Sequence, residues 1–179
     1  MEKGAENPEP CRERRTGSLR LSGVWNAYDK EKGEYHTMKK IESGSLAVML
    51  DEETLGLRIE KDGVVWNTDP KKTPELIFAE GTYRFLDAEE ISHEVYSFGV
   101  GCGIRSRYAG FAGTPYAFET IIWIEAVDET FWMEWIPLCE EGLHPVKVLW
   151  PTAMEFTNGR DDWYTLLTEG QGLLIPNTW

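Results

Sequence analysis

The chain has 179 residues, the size of one domain, and its 41% hydrophobic and 12% aromatic content can build a core and argues against disorder. A formal charge of −13 argues against a nucleic-acid partner, since such binding rests on Lys and Arg neutralising phosphates; the basic clusters Arg12–Arg15 and Lys39-Lys40 are too short to overturn that. No stretch approaches the ~20 apolar residues of a membrane helix, so no membrane partner is expected.

The first sixteen residues, MEKGAENPEPCRERRT, are charged and lack the apolar centre of a secretory signal. Residues 1–17 therefore read as a disordered leader and 18–179 as the folded domain. The expected location is cytoplasmic, or secreted if a signal peptide stands ahead of this sequence. Cys11, Cys102 and Cys139 are odd in number and widely spaced, without a Cys-x-x-Cys, so neither a disulfide framework nor a zinc site is indicated. His36, His93 and His144 are scattered. No metal and no other cofactor is expected.

Leu19–Trp25 suits a short first strand, and Asp29–Gly33 a charged turn. Ser45–Leu50 is a compact apolar run, and Leu55, Leu57 and Ile59 then alternate with polar residues and glycine at the period of a half-buried strand. Asp62-Gly63 favours positive φ and a tight hairpin, from which Val64–Trp66 returns as a third strand. Residues 67–75 read as a loop and Glu75–Ala79 as a short strand or turn. Asp87–His93 is ambiguous. The glycine-rich stretch from Gly99 to Pro115 reads as irregular or bulged, because glycine inside strands marks bulges and close backbone approach. From Phe118 to Val127 the chain is β-branched, with apolar residues on both parities, so both faces are expected to be covered; Asp128-Glu129 turns it, and Thr130–Ile136 returns. Pro145–Trp150, Thr152–Phe156, Trp163–Leu167 and Leu173–Ile175 continue the series, with Asn158-Gly159 as a further hairpin dipeptide. Many short strands without a helical period indicate an all-β fold, an antiparallel β-sandwich or barrel.

Gly99-x-Gly101-x-Gly103 does not have the spacing or the helix of a dinucleotide fingerprint. Glycosidase chemistry needs two carboxylates across the scissile bond; Glu119, Glu125, Glu134, Glu155, Asp161 and Asp162 are available, but the sequence shows no converging pair. No Gly-x-Ser-x-Gly elbow is present. Five tryptophans, Trp123, Trp132, Trp135, Trp150 and Trp163, fall close together. Exposed rings could stack on sugar C–H faces, whereas alternating tryptophans in adjacent strands are read as core. Trp163, beside Asp161-Asp162, stays open between the two.

The run Phe131-Trp-Met-Glu-Trp-Ile136, then Val148-Leu-Trp-Pro151, then Trp163 to Pro176 with its Gly-x-Leu-Ile-Pro ending, resembles the N-terminal region of large bacterial glycoside hydrolases. Those of family 129 and the related family 101 endo-α-N-acetylgalactosaminidases are the families it is similar to. The resemblance spans residues 41–179 and implies a galactose-mutarotase-like β-supersandwich ahead of a (β/α)8 catalytic barrel. Because catalytic carboxylates of these families lie on the barrel, the resemblance implies no catalytic residue in this chain. It implies carbohydrate and a following catalytic domain of the same protein as partners. The apolar run Leu173–Trp179 is read as the seam to that domain, since free termini are usually polar, and the residues in hand as the front of a longer protein. The loop Asn158–Trp163 is the candidate sugar contact, with Arg160, Asp161 and Asp162 for hydroxyls and Trp163 for stacking; the alternative is a solvated hairpin tip with Trp163 turned into the core. The rival readings are a stand-alone carbohydrate-binding sandwich and a mutarotase-like isomerase, for which His93 and His144 lack an evident Glu partner.

Overall fold

The computed structural model describes residues 19–29, 34–155, 164–167 and 173–176. The expected leader 1–17, most of the Asp29–Gly33 turn, and the Asn158–Trp163 loop with Arg160, Asp161, Asp162 and Trp163 lie outside the described residues.

The described residues form fourteen strands and one 3-10 turn, all pairing antiparallel, as expected of an all-β sandwich. The first sheet is a meander of β1 (Leu19–Asp29), β2 (Glu34–Ser43), β3 (Leu46–Asp51), β4 (Leu57–Lys61) and β5 (Val64–Asn67), each pairing with the next. The Asp62-Gly63 hairpin forms as read: φ is 51° and 80°, and Lys61 pairs with Val64. That turn's twist matches the twist of its strands. β2 carried no sequence signal, because its long polar side chains mask the alternation that leaves Ile41 and Ser43 buried. On the outward face of β3, Ala47 and Met49 are also buried. They lie in register with Glu42 and Glu60, and with Lys40 and Arg58, whose Lys40–Glu42 and Arg58–Glu60 pairs close at 2.6 Å. Such side chains cover apolar neighbours with their stems.

The second sheet holds β8 (Glu90–Phe98), β9 (Gly101–Phe111), β10 (Thr114–Glu125) and β11 (Thr130–Cys139), in the order β11-β10-β9-β8. The stretch expected to be irregular is β9, an eleven-residue strand inside this sheet. Its glycines mark close approach: a Cβ on Gly103 would stand 2.9 Å from the rings of Trp123 and Tyr96. Two strands, β8 and β10, need it as a partner, which overrides the weak local preference.

A third sheet, β12 (Pro145–Leu149), β6 (Glu75–Phe78) and β7 (Thr82–Arg84), closes one side, with a 3-10 turn at Phe85–Asp87. β13 (Tyr164–Leu167) and β14 (Leu173–Pro176) pair with each other. Thr152–Phe156 is not a strand in its described part. Its one ladder contact is the bridge Thr68–Met154, beside the short hydrogen bonds Asp69 N–H to Ala153 O (2.8 Å) and Glu155 N–H to Asn67 O (2.7 Å).

One core joins the three sheets: Ile41, Val48, Leu57 and Ile59 from the first, Ile104, Phe118, Ile122 and Ile124 from the second, Leu76 and Phe78 from the third. Each such side chain contributes roughly 1.5–3 kcal/mol on burial.

Candidate functional site

Within a strand, successive side chains point to opposite faces, and the second sheet's register sorts its aromatics accordingly. On the inner face, Phe131, Met133 and Trp135 of β11 pack on the core. On the outer face, Trp132 lies directly opposite Trp123, which lies opposite Gly103, which lies opposite Tyr96. The rings form a continuous row: Tyr96 and Trp123 centroids are 5.5 Å apart, Trp123 and Trp132 6.3 Å, both tilted by about 40°. The glycines of β9 let the Trp123 ring lie flat on the sheet, and it is buried, while Trp132 keeps 44% of its surface exposed. Of Trp123, Trp132 and Trp135, the alternating tryptophans read as core, Trp123 is buried, Trp135 is half-buried against the core and Trp132 is exposed. Trp132 fails that reading because it stands on the outer face of β11, the edge strand of its sheet, where a neighbouring strand covers it on one side only.

The next two rows are charged. Arg105 lies opposite Glu94, with Nη1 3.2 Å from its carboxylate. Its guanidinium sits 5.1 Å over the Tyr96 ring, a cation–π distance. Glu119 is 4.0 Å from Arg105 Nε, beyond hydrogen-bond reach, and pairs in register with Arg107. Glu134 lies opposite Ile121. Burial, chiefly, pushes the Tyr96 phenol above its usual value; Arg105 opposes the shift, and Glu94, Glu119 and Glu134 add to it. At the far end of the same face, Glu90, Arg107, Ala109, Ala117 and Cys139 line a cleft of about 500 Å³. From the aromatic row to this cleft is six residues of strand, roughly 20 Å.

Of the carboxylates considered from sequence, Glu119, Glu125 and Glu134 stand on this outer face, and Glu155 is exposed beside the Thr68–Met154 bridge. His93 faces inward, its Nδ1 2.7 Å from Ser106 Oγ, and His144 is exposed. Cys102 is buried and Cys139 half-buried, both as free thiols. Among the described residues no group of three or more His, Cys, Asp or Glu is placed to hold a metal, and no helix is long and apolar enough to cross a membrane.

Tyr96, Arg105 and Glu94 escaped the sequence reading because β8 and β9 were not recognised as strands. The signal was present: Arg105 and Arg107 alternate with Ile104, Ser106 and Tyr108, all three buried.

No family model matches the sequence, and no curated protein does. Among solved structures, the GalNAc complex of the α-N-acetylgalactosaminidase NagBb from Bifidobacterium bifidum is 37% identical with a TM-score of 0.74, over 79% of this chain and 23% of that one. The Gal-NHAc-DNJ complex of the same protein is 38% identical with a TM-score of 0.73, over the same shares. The ligand-free form is 35% identical with a TM-score of 0.69, over 79% and 22%. The chain thus spans less than a quarter of the length of the solved structures it matches. The kinship expected from the tryptophan-rich motifs is shown: this chain carries a β-sandwich similar in sequence and fold to part of an α-N-acetylgalactosaminidase, a glycoside hydrolase.

Proposed function

We propose that this β-sandwich is a non-catalytic part of a larger carbohydrate-active enzyme of the α-N-acetylgalactosaminidase type, where it packs beside a separate catalytic barrel and borders the sugar-binding cleft. The observation that carries this reading is the 35–38% identity shared with less than a quarter of NagBb. A segment that small, in an enzyme that size, is a component and not the whole machinery. The outer face of the second sheet adds support, because an aromatic row lies there beside two rows that carry charged side chains.

The test is an exchange. This chain replaces the matched segment of NagBb, and hydrolysis of an aryl α-N-acetylgalactosaminide is measured for the chimaera and for the free chain. The chimaera is expected to keep turnover, and the free chain to show none. A folded but inactive chimaera would overturn the reading, as would turnover by the free chain that Glu119→Gln or Glu134→Gln abolishes.

A further inference from the structure

The outer face of the β8–β11 sheet brings three kinds of group together. An aromatic row spans three strands at one end, ion-paired charges fill the middle, and a cleft lies at the other end. Trp132 is the ring most open to solvent in that row, and Phe98, two residues beyond Tyr96 on the same side of β8, is 77% exposed. The Arg105 side chain is 43% exposed and that of Glu94 60%.

We infer that this face is a glycan-binding platform, on which a galacto-configured pyranose stacks on Trp132 beside Glu134, whose carboxylate engages its hydroxyl groups, and the next sugar across the sheet reaches Arg105. The choice of sugar rests on the reading of the chain as part of an α-N-acetylgalactosaminidase-type enzyme; the platform itself rests on the geometry. An axial 4-hydroxyl leaves the C–H bonds at C3, C4 and C5 on one side of the ring. That patch is apolar and slightly positive, and an indole face is negative, so the two attract as aromatic edges and faces do. The hydroxyls around the ring both donate and accept. A carboxylate only accepts and a guanidinium only donates, so alternating Glu and Arg match a hydroxylated rim.

A protein partner is the poorer fit. Covering this face would strip water from Arg105, Arg107, Glu94, Glu119 and Glu134 together, and desolvated charges are costly unless each finds a matched partner. A sugar leaves their outward sides wet. Pockets that bind small molecules follow the same rule, with an apolar surface and a few convergent polar groups. The roughly 20 Å between aromatic row and cleft suits a short oligosaccharide lying along the strands.

Ligand-observed saturation-transfer NMR on the purified chain tests this, with methyl α-N-acetylgalactosaminide and a mucin-type O-glycan as probes and methyl β-glucoside as the reference. Transfer is expected to the H3, H4 and H5 protons of the galactosaminide, and weakly or not at all to the glucoside. Trp132→Ala should weaken binding at least about tenfold, a loss of ~1.4 kcal/mol. Glu134→Gln, which keeps the shape and removes the charge, should weaken it less. Trp66→Ala, at the exposed tryptophan of the first sheet, should leave it unchanged. Absence of transfer from both galactosaminide probes overturns the platform, as does binding that survives Trp132→Ala. Equal transfer to the glucoside overturns the galacto assignment. If the platform fails while the NagBb chimaera stays active, the domain reading stands alone; if sugar binds and a folded chimaera is dead, the platform stands without it.

Discussion

Phe118 sits at the meeting point of the core aromatics. Its ring centroid is 4.7 Å from Phe85, 4.9 Å from Tyr108, 5.8 Å from Phe111 and 5.9 Å from Trp135. These rings come from the second sheet and from the 3-10 turn that follows the third, so one side chain ties two layers together. Phe118→Ala should cost about 3–5 kcal/mol, the range for removing a buried aromatic ring and leaving a cavity; urea denaturation of the two proteins measures it. His93 makes a different contribution. Burial lowers its pKa below 6.5; Glu52 opposes the shift to a smaller extent, and Lys39 adds to it. Ser106 Oγ holds its Nδ1 at 2.7 Å, and its Nε2 is buried without a partner among the described residues. The unfolded chain takes up the proton more readily than the folded one, so this group's stabilisation is present above the unfolded value of 6.5 and declines as pH falls from there towards the folded value. The urea midpoint should fall between about pH 7 and pH 5, and less steeply in His93→Phe. An equal fall in both proteins would assign the effect to the carboxylates.

At the scale of elements, the sandwich is clasped at one end by two turns. Glu129, at the β10–β11 turn, accepts a hydrogen bond from Ser45 Oγ at 2.9 Å, and its backbone carbonyl accepts one from Lys61 Nζ at 3.2 Å. The Ser45 hydroxyl and backbone N–H, with Lys61, hold the Glu129 carboxyl below its usual range. Gly44 occupies the left-handed region at φ 58°, and a Cβ there would run into the Glu129 carboxylate. Gly44→Ala should therefore lose ~1–2 kcal/mol from the backbone conformation alone, plus the displaced clasp. In Gly44→Ala/Glu129→Gly the clash is gone, so part of the loss should return. A Gly44→Ala protein as stable as the parent on thermal unfolding would show that the two turns are not coupled. Elements were legible wherever their signal is local. The Lys61–Val64 hairpin and the strand pair around Asp128-Glu129 stand where residue order placed them. β9 did not, because glycine content masked a strand whose glycines serve the Trp123 ring of the strand beside it.

For the whole molecule, residue order decided the class of fold: period-two alternation and turn dipeptides act over a few residues, and a chain full of them with no helical period has few ways to bury its apolar surface other than stacked antiparallel sheets. It also decided that Trp132 and Trp135, three positions apart in one strand, face opposite ways. Which of them faces inward was left to the tertiary structure, since that depends on which side of the second sheet receives the first. β6 pairs with β12, whose residues lie 67 to 74 positions further along the chain, and Thr68 meets Met154. No local rule reaches that far, because such contacts are held by the shared core and not by the preferences of neighbours in sequence. The candidate site follows the same division. Its residue types were visible as an excess of tryptophan and carboxylates, but sequence reading placed the sugar contact at Arg160–Trp163, outside the described residues. The row Tyr96–Trp123–Trp132 with Arg105 exists because register brings four strands side by side, so that residues up to 36 positions apart from Tyr96 share one face.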